Sequence, residues 1–165
     1  CNRIEFIFFY QELAAVNNPR TPRPQHKKYG GFPHGQNLNL HKNVKLTEEI
    51  TGAQLIKLYK SSHLFILPSI YEGQPLTLLE AWAAKLPVIV TKTGDCQFLV
   101  KNGHNGYLIN NPRDTNEIAR VINKAFTSKN LEKLGLNGYN LVKENFSWEK
   151  SAKETLQVYQ KSIHG

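Results

Sequence analysis

Apolar positions along this chain follow two rhythms. Nearly solid runs at 4–9, 64–67 and 87–91 lack a polar face, the pattern of strands buried on both sides of a sheet. Shorter runs at 44–46 and 106–109 read as further strands, and Pro68 ends the one at 64–67. Between them stand segments of helical period: 53–61 places Leu55, Ile56 and Tyr59 on one face, and a helix from Pro75 to about Ala84 opens on a residue whose fixed φ suits a first turn. Asp114, with Glu117 three residues on, marks the start of a helix with Ile118, Val121, Ile122 and Ala125 as its buried stripe. Two more helices follow at about 129–144 and 148–163, the last with Trp148, Ala152, Leu156, Tyr159 and Ile163 at helical spacing. Strands alternate with helices and the loops after residue 47 are brief, which predicts an α/β fold with a doubly wound parallel sheet.

At 165 residues, 18.8 kDa and 40% hydrophobic content, the chain has the size of one domain with a real core. It divides into a first strand region (1–16), a Pro/Gly-rich loop (17–43), an α/β core (44–127) and closing helices (128–165). No apolar run approaches the ~18 residues of a membrane span, and the run after Ile4 is broken by Glu5 and lacks the basic leader of a signal peptide, so the sequence reads as cytoplasmic. Cys1 stands first and there is no Met, so the chain is expected to be a piece of a longer protein.

Of the net charge of +8, six units fall between residues 13 and 47, where Arg20, Arg23, Lys27, Lys28, Lys42 and Lys45 meet no acid. Pro19, Pro22, Pro24, Pro33, Gly30 and Gly31 make that segment an extended loop. A solvated loop is the first reading of it; peripheral contact with an anionic membrane or lipid-linked acceptor is the second. Nucleic acid is not an expected partner, since only Tyr29 and Phe32 lie among these cations as stacking platforms. Cys1 and Cys96 give neither a disulfide framework nor a zinc site, and the spacing of His26, His34 and His41 suggests no metal.

Candidate chemistry centres on Glu72 and Glu80, the only charges between Tyr71 and Lys85. Glu72 and Gly73 lie between a strand and a helix at the carboxyl edge of the predicted sheet, where open α/β folds collect ligands. A phosphate could rest there on the free amides of Leu76 and Thr77, aided by the helix dipole, while Gly73 permits close approach. Glu80, about 7 to 8 Å beyond Pro75 along the helix, could accept two hydrogen bonds from vicinal hydroxyls such as those of a ribose. Spacing alone leaves an equal alternative, in which Glu80 faces solvent or bonds a neighbouring amide and Glu72 is an ordinary loop acid.

The stretch Leu64-Phe65-Ile66-Leu67-Pro68-Ser69-Ile70-Tyr71-Glu72-Gly73-Gln74-Pro75-Leu76-Thr77-Leu78-Leu79-Glu80-Ala81 resembles the signature of group 1 glycosyltransferases. Leu86 to Thr91, Gly94, Asn102 to Ile109 and Phe146-Ser147-Trp148 are similar to that family as well, so that the likeness covers roughly 44–163. The resemblance implies the Rossmann-like, donor-binding half of a GT-B enzyme that moves a sugar from a nucleoside diphosphate sugar to an acceptor with retention and without a metal or other cofactor. It implies that Glu80 binds the ribose, that Glu72 is the catalytic-site acid on the transferred sugar, that Gly73 and Gln74 line that sugar, and that the Leu76 and Thr77 amides meet the diphosphate.

Several residues depart from the family pattern. Pro75 replaces a frequent Gly and has no amide hydrogen to offer the sugar. His63 stands for a frequent Asp, Lys85 for a frequent Gly and Phe98 for a frequent Glu. The Arg and Lys with which members meet the departing diphosphate are not evident, which implies that the chain begins one β-α unit late. A partner domain for the acceptor, N-terminal in the family, is expected outside these residues, so the chain alone is expected to be inactive. A sugar-nucleotide epimerase of the same architecture and a degenerate binding module are the competing readings.

Overall fold

The computed structural model describes residues 6–8 and 50–164. Four strands, β1 (Phe6–Phe8), β2 (Leu64–Leu67), β3 (Val88–Thr91) and β4 (Tyr107–Ile109), form one sheet in the order β1-β2-β3-β4. All pairings are parallel, with Ile7 opposite Phe65, Ile66 opposite Ile89 and Val90 opposite Leu108. Six helices accompany them: α1 (Gly52–Ser61), α2 (Leu76–Ala83), α3 (Cys96–Leu99), α4 (Thr115–Thr127), α5 (Leu131–Asn145) and α6 (Trp148–His164).

Every residue of β2 and β3 is buried, and the alternation of side chains divides the core in two. Phe65, Leu67, Val88 and Val90 pack with Tyr59 of α1, Leu78 and Trp82 of α2 and Cys96 of α3. Leu64, Ile66 and Ile89 face the other way, toward Tyr107, Ile109, Ala125 of α4 and Leu134 of α5. Helices therefore cover both faces, as a parallel sheet requires. The predicted strand at 44–46 and the basic loop at 17–43 lie outside the described residues.

Packing of α5 on α2 depends on two glycines. A Cβ on Gly135 would strike the Lys85 carbonyl, and one on Gly138 would strike the Trp82 ring. Lys85 ends α2 with φ 61°, while its amide donates to the Trp82 carbonyl at 2.8 Å and the Leu86 amide to Ala81 at 2.9 Å. That pair of bonds is a Schellman termination, which places its left-handed residue where a glycine is the unstrained choice.

Three local expectations are corrected. Pro75 is the residue before α2, not within it; its extended backbone (φ −73°, ψ 113°) lets its carbonyl accept from the Leu78 amide at 3.1 Å. Ile56 is exposed, and Leu55 and Leu58 join Tyr59 on the core side of α1. The single-turn α3 has no counterpart among the predicted elements, because four residues are too short to show a period.

Candidate functional site

The chain leaves β2 at Leu67, crosses the carboxyl edge of the sheet and enters α2 at Leu76. Along this crossing Ile70 and Tyr71 are exposed, but Glu72 is only 8% exposed. As the first two residues of α2, Leu76 and Thr77 have no carbonyl one turn back to receive their amides, and the helix dipole adds partial positive charge in front of them. Gly73 and Gln74 precede them on the surface, and the space a Gly73 Cβ would fill is open. The ledge thus offers two amide donors, a buried carboxylate and a gap in the backbone's side-chain cover.

The loop after β3 holds this ledge in shape. Gly94 has φ +51°, and a Cβ there would collide with the Glu72 and Gly73 carbonyls. Next to it the Asp95 amide donates to the Gly73 carbonyl at 2.9 Å. Cys96, the first residue of α3, has its thiol pushed up to about 12 by burial, then by the negative charges of Glu72 and Asp95. The β3–α3 loop thus packs against the backbone of Glu72 and Gly73.

Glu80 is the fifth residue of α2. It is exposed, and its Oε2 accepts a hydrogen bond of 3.0 Å from the Tyr59 hydroxyl of α1. Burial and the bond to Glu80 hold the Tyr59 phenol well above its ordinary pKa. The two acids have different surroundings: Glu72 is buried, with the β3–α3 loop against its backbone, and Glu80 is exposed, with its carboxylate bonded to Tyr59 of α1.

Sequence reasoning placed Tyr59 only in the core and cited Gly94 only for likeness; the steric contact of Gly94 with Glu72 has no linear signal. Ser69 and Thr91 likewise entered only through likeness. Among the described residues their hydroxyls are buried without a hydrogen-bond partner, at the carboxyl ends of β2 and β3. Their position, a hydroxyl residue closing an apolar run, is the signal that could have found them. No group of three His, Cys, Asp or Glu among the described residues could hold a metal ion, and no described helix is long and apolar enough to cross a membrane.

Comparison with known proteins fits this geometry to a family. The profile described as "Glycosyl transferases group 1" matches residues 34–160. The chain belongs to this family. It is 30% identical over 128 residues to the MMP alpha-(1->4)-mannosyltransferase of Mycolicibacterium hassiacum, covering 76% of this chain and 31% of that protein. The structure of sucrose-phosphate synthase from Thermosynechococcus elongatus superposes with a TM-score of 0.71 at 30% identity, over 78% of this chain and 32% of that one. The catalytic domain of starch synthase IV from Arabidopsis thaliana, bound to ADP and acarbose, gives a TM-score of 0.63 at 26% identity, over 79% of this chain and 28% of that one. The fold is that of GT-B glycosyltransferases, and this group 1 member spans about a third of the length of the relatives it matches.

Proposed function

We propose that the chain is the donor-binding domain of a transferase that takes a sugar from a nucleoside diphosphate sugar and passes it to an acceptor with retention. One observation carries the reading: the carboxyl edge of the sheet presents the free amides of Leu76 and Thr77, with the buried Glu72 shortly before them in the chain and the exposed Glu80 one turn further into α2. A diphosphate placed on the amides directs its nucleoside toward Glu80 and its sugar toward Glu72, past Gly73 and Gln74. Negative charge grows on the diphosphate as the glycosidic bond breaks, and fixed amide donors with the helix dipole are suited to stabilise it. The nearby ADP-bound starch synthase supports a nucleotide in this fold.

The concavity between the α3 end and α5, lined by Phe98, Asn105, Asn137 and Glu144, and the one along α6, lined by Trp148, Leu156 and Tyr159, contain neither Glu72 nor Glu80. Among the described residues no second wall faces the ledge, and in this reading an acceptor-binding part of the protein supplies it. Turnover therefore requires that part, and the exposed apolar stripe of α6 is available to dock it. Measurable transfer by the chain alone would contradict this division of labour.

A thermal-shift panel of nucleotide sugars tests the donor assignment. The chain should be stabilised by one class of nucleoside diphosphate sugar, and Glu80→Ala should remove that stabilisation. Glu72→Gln should instead reduce the preference for the sugar nucleotide over its free nucleoside diphosphate. An unchanged shift in Glu80→Ala overturns the ribose assignment.

A further inference from the structure

Glu80 is an exposed glutamate, and such a side chain ordinarily samples several rotamers that a ligand must freeze. Here one of its oxygens is held by a hydroxyl that cannot move far. Tyr59 is 3% exposed, and its ring packs against Phe65 of β2 with centroids 6.1 Å apart and planes tilted by 37°. The position of the phenol is thus fixed by the centre of the sheet, and through it the position of the carboxylate. Packing alone does not explain the hydroxyl, since Phe would fill the same space without burying a polar group.

The donor count suits a diol. The phenol occupies one acceptor position on Oε2, which leaves the second position there and both on Oε1. Two adjacent hydroxyls can then bond one to each oxygen while the phenol stays in place. The burial of Tyr59 and its bond to Glu80 keep the phenol protonated, and so a donor, at any neutral pH.

We propose that Tyr59 is a positioning residue which holds Glu80 ready for both ribose hydroxyls, and so sets a preference for ribonucleoside over 2′-deoxyribonucleoside diphosphates. The proposal rests on the ribose assignment above and adds to it the origin of that selectivity. A freely rotating Glu80 would bond a single hydroxyl nearly as well as a pair; a fixed one loses part of its geometry when the 2′-hydroxyl is missing.

The test measures binding of ADP, GDP and UDP and of their 2′-deoxy counterparts to the chain and to Tyr59→Phe, Glu80→Ala and the double variant, below the melting point of each. For the nucleotide that binds, the unaltered chain should favour the ribo form. Tyr59→Phe should lower that ratio by about five- to tenfold, the size expected for one ordinary net hydrogen bond. The double variant should behave like Glu80→Ala alone, because Tyr59 acts through Glu80. Replacing Tyr59 with 4-aminophenylalanine restores a donor on the same ring and should recover the ratio, which a purely structural loss would not allow. An unchanged ratio in Tyr59→Phe, or a double variant weaker than Glu80→Ala by the full effect of Tyr59→Phe, overturns the proposal while leaving the ribose assignment standing. Equal binding of ribo and deoxy forms by the unaltered chain, or no binding of any of the three, overturns the ribose assignment and this proposal with it.

Discussion

At the scale of single residues, the candidate site contrasts two glycines with different reasons to be glycine. Gly94 is fixed by sterics, being left-handed and pressed against the carbonyls of Glu72 and Gly73, which as backbone cannot swing aside. Gly94→Ala should therefore cost about 2 kcal/mol or more, from the left-handed penalty plus overpacking, and should displace Glu72 with it. Chemical denaturation would read the first effect. Loss of nucleotide-sugar stabilisation at temperatures where the variant is still folded would read the second. Gly73 meets nothing where its Cβ would be. Gly73→Ala should leave stability within about 0.5 kcal/mol yet weaken binding of a nucleotide sugar more than of its free nucleoside diphosphate, because the methyl group enters the space assigned to the sugar. Similar binding losses for sugar nucleotide and nucleotide would move the sugar elsewhere on the ledge.

Among elements, α2 and its partner α5 show where a helix can be read from sequence and where it cannot. An interior helix Gly→Ala change ordinarily stabilises by up to about 1 kcal/mol. Gly138→Ala should do the opposite and destabilise by about 1–3 kcal/mol, since the new methyl runs into Trp82, a buried ring whose Nε1 donates to the Asn105 carbonyl at 3.0 Å. The end of α2 offers a second test: Lys85 is left-handed and its ammonium lies 4.9 Å from the centroid of Tyr139. Lys85→Ala and Lys85→Gly both lose that contact, so a difference of about 1 kcal/mol in favour of Gly would isolate the backbone term. Differential scanning calorimetry on the pair measures it. The strands at 64–67 and 87–91 were legible because a short, solid apolar run bounded by proline or polar residues suits a strand covered on both faces. The start of α4 was legible because Asp114 does accept from the Asn116 and Glu117 amides at 2.9 and 3.0 Å. Contacts between elements were not. Glu72 could be read as an acid at a strand-to-helix crossing, but its burial comes from a loop more than twenty residues later in the chain, and the tyrosine that holds Glu80 comes from the helix before the strand.

For the whole molecule, the folded state binds some protons more tightly and others less tightly than the unfolded chain, and this sets the pH range of stability. Cys96 and Tyr59 both have raised values in the fold, so the stability they contribute is complete below their ordinary values of 9.0 and 10.0 and is lost as pH climbs through the folded ones. Glu117 is the opposite case: bonds from the Asn110 and Asn111 amides and the Asn110 side chain lower its value below 4.5, so its contribution is present above that pH and is lost as pH falls through the folded value. Thermal unfolding against pH should thus show a plateau with an alkaline limb from about pH 9 and an acid limb below about pH 4.5. The two limbs have different owners. Tyr59→Phe should flatten the alkaline limb above pH 10 and leave the acid one unchanged, whereas Glu117→Gln should flatten only the acid limb. An alkaline limb that keeps its full slope in Tyr59→Phe would mean that the phenol titrates as freely in the fold as in the open chain. A freely titrating phenol is incompatible with a hydroxyl locked between the core and Glu80, so the same measurement bears on the site without any ligand present.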